Sequence, residues 1–282
     1  TTAMHAAIAN ACSALLSALA LSSSPINRAI DAVTPDPNPI VKPSIKKKIG
    51  ILRIDYDYPP IPGDVDDSSS FEFDIEYEIV HGLTFEKAQV GYIDNSIIVA
   101  LKIAIRKLEQ YNVVGLSGDC GFMMAYQKLI RRMTKLPVFM SSLLQTSILA
   151  SSIEENEKIA ILTANSKTLE PNLPKLLTEC GILVDLNKFY VIGCEDVPGF
   201  EAVANGEQVN YSTVSKGIKN KVFEKLAEYP NTKGFLMECT ELPCYSDMLR
   251  YETALPVFDA ITLINLFYRS CTDNPNFGLN NW

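Results

Sequence analysis

Histidine is scarce in this sequence, and tryptophan scarcer: the 282 residues include His5, His81 and a single tryptophan, Trp282. The cysteines are not paired at finger-like spacing, and Cys239 and Cys244 have no second pair to join. A structural zinc site is therefore not expected. Positive charge is also short. Lys and Arg number 25 against 33 Asp and Glu, giving a formal charge of −8. Nucleic acid is thereby disfavoured as a partner, because phosphate binding needs a basic face. A small anionic or zwitterionic substrate stays open, since a local cluster of donors overrides the global field. No apolar run approaches the ~18–20 residues of a membrane span. The longest, Ala14 to Leu21, is broken by Ser17. The expectation is a soluble intracellular chain, of the cytoplasm or a chloroplast.

Apolar residues make up 47% and charged residues 21%, as in ordinary globular proteins. The length suits one large domain or two small ones. There are seven cysteines: Cys12, Cys120, Cys180, Cys194, Cys239, Cys244 and Cys271. An odd number at irregular spacing reads as free thiols in a reducing compartment.

Residues Thr1 to Lys48 differ from the rest. Ala and Ser dominate up to Pro25, then come Pro35, Pro37, Pro39 and Pro43, then Lys46 to Lys48. Two readings stand: an organelle-targeting remnant, or an appended helix and Pro-rich linker that pack on the body or on a neighbouring subunit. Scarce Arg favours the second, and a homo-oligomer is expected.

From Ile49 onward, apolar runs alternate with helical spacing. Strands are predicted at Ile49–Asp55, Phe71–Val80, Val113–Leu116, Lys158–Thr163, Phe189–Cys194, Gly234–Glu238 and Pro256–Asp259. Helices are predicted at Ile97–Leu108 with Asn95 or Ser96 as cap, and at Phe122–Met133, Pro171–Cys180 and Thr213–Glu228. Further helices open at Tyr245 and continue from Asp259 to Arg269. Such alternation implies an α/β chain with parallel sheets covered on both faces. A break near Ser151–Glu157 divides it into two lobes. Residues 49–150 plus 246–282 are assigned to the first, and 151–245 to the second.

Each lobe delivers one cysteine at a strand-to-helix turn. Gly118-Asp119-Cys120-Gly121 follows one strand, and Glu238-Cys239-Thr240-Glu241 follows another. Ligands of open α/β sheets bind beyond the carboxyl ends of strands. A helix N-terminus there is expected to lower the thiol pKa. Two facing thiols suit removal of a proton from carbon. The alternative fate of a free cysteine, a small buried hydrophobe, is assigned to Cys180, Cys194 and Cys271. Donors for a carboxylate are expected from Ser117, Thr163, Asn165 and Thr240; ordinary turn chemistry explains these residues equally well. Asp119 and Glu241, beside the cysteines, complete the expected binding set. Tyr56 and Tyr58, in Asp55-Tyr56-Asp57-Tyr58-Pro59-Pro60, offer ring faces to a cation. His81 reads as structural.

Paired cysteines at strand ends resemble the aspartate/glutamate racemase superfamily, whose members have two pseudo-symmetric α/β lobes and need no cofactor. The first turn departs from the racemase pattern: Cys-Asn-Thr is common there, whereas this chain has Cys120-Gly121-Phe122. A closer resemblance is to the algal-type (Alma) dimethylsulfoniopropionate lyase family. It is carried by Leu52-Arg53-Ile54-Asp55-Tyr56-Asp57-Tyr58-Pro59-Pro60, Gly82-Leu83-Thr84-Phe85-Glu86 and Gly118-Asp119-Cys120-Gly121-Phe122-Met123-Met124. Glu238-Cys239-Thr240-Glu241-Leu242-Pro243, Tyr245-Ser246-Asp247 and Leu255-Pro256-Val257-Phe258-Asp259-Ala260 complete it. The resemblance implies a carbon–sulfur lyase acting without cofactor or metal on a small zwitterion. A base removes the proton α to the carboxylate, dimethyl sulfide leaves from the β-carbon, and acrylate remains. Cys239 is expected as the base, with Cys120 as the second thiol. An amino-acid racemase or isomerase of the same superfamily, and a non-catalytic zwitterion binder, remain alternatives.

Overall fold

Ile49, Ile51 and Leu52 lie in one short run, and all three are fully buried. A strand apolar on both faces must be covered on both, which parallel sheets between helices achieve. The structure, a computed structural model, describes residues 47–272. Apart from its last two residues, the helical segment and linker expected over 1–48 falls outside the described residues, as do His5 and Cys12.

The strands are β1 (Lys48–Arg53), β2 (Ile75–Ile79), β3 (Val113–Gly118), β4 (Val138–Phe139), β5 (Lys158–Thr163), β6 (Phe189–Gly193), β7 (Thr232–Met237) and β8 (Val257–Phe258). Between them run α1 (Phe85–Gln89), α2 (Asn95–Gln110), α3 (Gln127–Ile130), α4 (Thr146–Ser151), α5 (Ser166–Glu179), α6 (Glu201–Ala204), α7 (Tyr211–Glu228), α8 (Ser246–Thr253) and α9 (Ala260–Ser270). The strands form two four-stranded sheets in the orders β2-β1-β3-β4 and β6-β5-β7-β8. Every pairing is parallel. The second order is the first advanced by four strands, so the halves repeat one topology. The two-lobed, parallel α/β architecture expected from the sequence is thus present.

The lobes are tightly joined. The largest core cluster takes Leu52, Leu101 and Leu116 from the first half together with Ile159, Leu173 and Leu236 from the second. The Ser142 hydroxyl donates to the Met237 carbonyl at 2.6 Å. Strand β8 lies in the second sheet, beyond the boundary at 245 expected for that lobe. Helix α9 then packs Ala260 and Ile264 on Ile49 and Ile51 of the first. Among the described residues, no helix is long and apolar enough to cross a membrane.

Several elements differ from expectation. The helix expected over Phe122–Met133 is a 3-10 segment, Gly121–Tyr126, followed by the single turn α3. Apart from Ala125 its residues are buried all round, so no single apolar stripe dictates an α-helix. The Tyr126 hydroxyl is also tied to the Tyr92 carbonyl at 2.8 Å, and Gln127 Nε2 to the Val138 carbonyl at 2.8 Å. Strand β2 covers only Ile75–Ile79 of the run expected from Phe71. Asp94, not Asn95 or Ser96, caps α2, accepting from Ile97 N–H at 2.9 Å. Helix α5 starts at Ser166, ahead of Pro171, with Asn165 as its cap.

Candidate functional site

The repeated topology puts the two cysteine turns in equivalent places, after β3 and after β7, the third strand of each half. They meet at the lobe boundary. The Thr240 hydroxyl donates to the Asp119 carbonyl, joining the residues next to the two cysteines. Val65 N–H donates to the Thr240 carbonyl at 3.3 Å. Gly121 sits so close to Glu238 that a Cβ there would overlap the Glu238 backbone carbonyl and carboxyl group. The chain after Cys120 can therefore approach the residue before Cys239 only as glycine. Cys120 and Cys239 are each 5% exposed.

The turn context does not lower the thiol pKa values. Burial pushes both far up, and Glu241 and Glu238 push them further. The N–H groups of Phe122 and Glu241 offset part of the rise at Cys120 and Cys239 respectively. The expectation of a low pKa at a helix N-terminus fails here because Cys120 precedes a short 3-10 segment amid buried carboxyls. Desolvation and negative charge outweigh a few N–H dipoles. The Cys239 thiol donates to Glu241 Oε2 at 2.5 Å. Burial raises Glu241 to about 7, against the stabilising hydrogen bond from Cys239. Glu238 is 1% exposed, and burial raises it to about 8 despite a 2.7 Å hydrogen bond from the Thr163 hydroxyl.

The aromatic loop lies beside this cluster. Tyr56 and Tyr58 stack with ring centroids 5.8 Å apart, and Phe85 stands 5.9 Å from Tyr56. The Tyr56 hydroxyl donates to the Val203 carbonyl, so a loop of the first lobe is fastened to α6 of the second. The Tyr58 hydroxyl donates to Asp64 Oδ2 at 2.7 Å. Burial, with the charge of Glu241, raises Asp64 to about 8. A cavity of about 360 Å³ opens here, lined by Phe85, Asn165, Phe200, Val203 and Glu241 among others.

The expected carboxylate donors are already engaged. The Ser117 hydroxyl donates to the Phe139 carbonyl at 2.7 Å. Thr163 Oγ1 donates to Glu238 and accepts from Asn165 N–H at 3.2 Å. The Asn165 side chain caps α5 and donates to Gln89 Oε1 at 2.8 Å. Both carboxyl oxygens of Asp119 receive Ile54 N–H at 3.0 Å, turning that group back onto the chain just after β1. Cys120, Cys239, Glu241, Thr163 and Thr240 thus gather at the lobe boundary, with Tyr56, Tyr58 and Asn165 around it. Ser117 and Asp119 are buried but spend their side chains elsewhere. His81 is exposed, 3.9 Å from Asp55.

No protein-family model matches the chain. It is 44% identical over 248 residues to a dimethylsulfoniopropionate lyase of Durusdinium sp. clade D, an alignment covering 87% of this chain and 82% of that one. It is 45% identical over 238 residues to dimethylsulfoniopropionate lyase 7 of Emiliania huxleyi strain CCMP1516, covering 83% and 70%. The chain belongs to the dimethylsulfoniopropionate lyase family. It spans less of some members: 62% of the length of dimethylsulfoniopropionate lyase 3 of the same strain, at 45% identity. Solved structures share the fold alone. An arylmalonate decarboxylase matches with a TM-score of 0.51 at 15% identity, over 83% of this chain and 96% of that one. The allantoin racemase of Klebsiella pneumoniae gives 0.52 at 13%, covering 79% and 86%.

Strings by which the chain resembles this lyase family lie together: Asp55 N–H donates to the Leu83 carbonyl at 2.7 Å, Asp119 N–H to the Leu52 carbonyl at 3.2 Å, and the Thr240 hydroxyl to the Asp119 carbonyl. Three residues at the site went unread as participants. Asp64 lies in a loop of turn-forming residues, where its burial leaves no pattern. Phe200 and Val203 come from a segment with no feature of its own. Glu238 was visible as part of a string, yet nothing in the string says that its carboxyl points inward.

Proposed function

We propose that this chain cleaves dimethylsulfoniopropionate to dimethyl sulfide and acrylate, with Cys239 as the base. The observation that carries the reading is the pairing of Cys239 with Glu241 beside an aromatic, acidic cavity, in a chain of the lyase family. In the resting site the thiol keeps its proton, because buried carboxyls surround it. A sulfonium brought against Tyr56, Tyr58 and Phe85 reverses that balance at the thiol, since a nearby opposite charge favours the thiolate. The thiol then yields its proton to the ionised Glu241 Oε2, its hydrogen-bond acceptor, and Glu241 releases that proton to solvent before the next turnover. The thiolate takes the α-proton. The electron pair of that C–H bond becomes the new C=C bond, and the C–S electrons leave with neutral dimethyl sulfide. No acid is needed for the leaving group. Cys120, 5% exposed, is the second thiol of the site and helps to position the substrate.

Purified chain incubated with dimethylsulfoniopropionate should release dimethyl sulfide and acrylate in equal amounts. Binding without release would leave a zwitterion-binding relative. Solvent deuterium entering the α-carbon of an amino acid, with inversion, would indicate a racemase instead.

A further inference from the structure

Glu238 carries a carboxyl oxygen that no hydrogen bond engages. Its Oε2 accepts from Thr163. Its Oε1 is buried and has no hydrogen-bond partner, and the carboxyl lies against Gly121, immediately after Cys120. Thr163 Oγ1 receives Asn165 N–H, so its own hydrogen is directed to Oε2. A proton on Glu238 would therefore reside on Oε1, at the Cys120 turn. The titratable groups facing Glu238 are Cys239 and Glu241 from its own turn, and Cys120 from the turn after β3. Strand β5 contributes the neutral Thr163. Among the described residues, no cation acts on Glu238. An ionised carboxylate in this setting would have one hydroxyl donor and anionic neighbours, a costly state.

We infer that Glu238 works as a neutral carboxylic acid whose Oε1–H donates a hydrogen bond to the carboxylate of the bound substrate. This assignment rests on the lyase reading for the identity of the substrate. It answers a need the site otherwise leaves open, because the hydroxyls of Ser117, Thr163 and Thr240 already donate within the protein. Loss of the α-proton builds negative charge onto the substrate carboxylate. A donor fixed there in a dry site stabilises that charge more than the ground state, and burial is what keeps such an acid protonated. A bound carboxylate is itself a like charge. It shares the proton with Glu238 and raises the pH at which Glu238 ionises above about 8.

Infrared difference spectroscopy on the full chain tests this, with acrylate as the probe and its binding followed in parallel by calorimetry. At about pH 7, the wild type should show the C=O stretch of a protonated, deuterium-sensitive carboxyl group that E238Q lacks. Acrylate should shift that band to lower frequency and move its titration to higher pH. The wild type should lose acrylate affinity by about 10-fold or more between about pH 7 and about pH 9.5, as the donor ionises. E238Q, whose amide donates but cannot ionise, should show a smaller fall, the remainder set by Glu241 and Asp64, which burial raises to about 7 and about 8. Thr163→Val, which removes the hydroxyl at Oε2, should raise the titration of the same band and keeps the test available if E238Q does not fold. The assignment is overturned by any of three results: no acid band belonging to Glu238, a band that stays put while acrylate binds, or no acrylate binding at all. A wild type that shifts the band with acrylate yet releases no dimethyl sulfide would sink the lyase reading and leave this one standing.

Discussion

At the residue scale, the site depends on how closely two backbones approach. Gly121 is where the first-lobe turn meets Glu238, so Gly121→Ala tests the approach directly. Part of what the new methyl meets is a backbone carbonyl that cannot swing aside. Overpacking of this kind costs about 1–3 kcal/mol. Urea unfolding should register that loss, together with a fall in dimethyl sulfide release as Cys120 and Glu238 part. Unchanged stability would mean that the turns are less closely packed than described. The Tyr58 hydroxyl offers a second check. Tyr58→Phe removes the 2.7 Å donor to Asp64 and leaves a buried carboxyl under-satisfied. The expected cost is about 1–3 kcal/mol, again read by urea unfolding.

At the scale of elements, the sequence was most legible where a strand is buried on both faces. The run Lys158–Thr163 reads directly as β5, and the run from Ile49 as β1. Legibility fell where three-dimensional anchoring decides the outcome. Phe122–Met133 has helical spacing, but burial all round and the ties of Tyr126 and Gln127 hold it as a 3-10 segment. The two cysteine turns were readable from their place after strands. The chemistry of those turns was not, because the thiol pKa values depend on carboxyls that no spacing brings together. Asp259 is a further case of tertiary reuse. It caps α9, its Oδ1 accepting Thr262 N–H at 2.7 Å, and its Oδ2 accepts the Ser246 hydroxyl at 2.6 Å. One side chain thus ties the helix on the first sheet to α8 beside β8. Asp259→Ala should cost about 2 kcal/mol, near the upper range for a helix cap, because Ser246 also loses its acceptor. A thermal melt showing no change would contradict that double role.

At the scale of the whole molecule, the lobe boundary concentrates buried acid, and this sets the pH dependence of stability. Burial raises Asp64 and Glu238 to about 8 and Glu241 to about 7. The folded state binds protons more tightly at these groups than the unfolded chain does. Their contribution is therefore complete below the unfolded values near 4 and is lost as pH rises through about 7–8. Asp94, lowered to about 2 by Ser96 and the backbone of α2, acts in the opposite sense, on the acid side of that window. Thermal melts should give a Tm that declines by several degrees between about pH 5 and about pH 8.5, and Glu238→Gln should flatten the decline. A Tm that rises across this range would mean that the three acids are ionised in the fold.

The duplicated topology explains why two turns, 119 positions apart in sequence by the difference between Cys120 and Cys239, converge at one boundary. It does not make the two cysteines equal: Cys239 has Glu241 as its hydrogen-bond acceptor, and elimination requires a single base. The most direct test of this account is the rate of dimethyl sulfide release from dimethylsulfoniopropionate by Cys239→Ala, measured beside the wild type in the same headspace assay. The account predicts release by the wild type and none above background by the variant; release by the variant at the wild-type rate would contradict it.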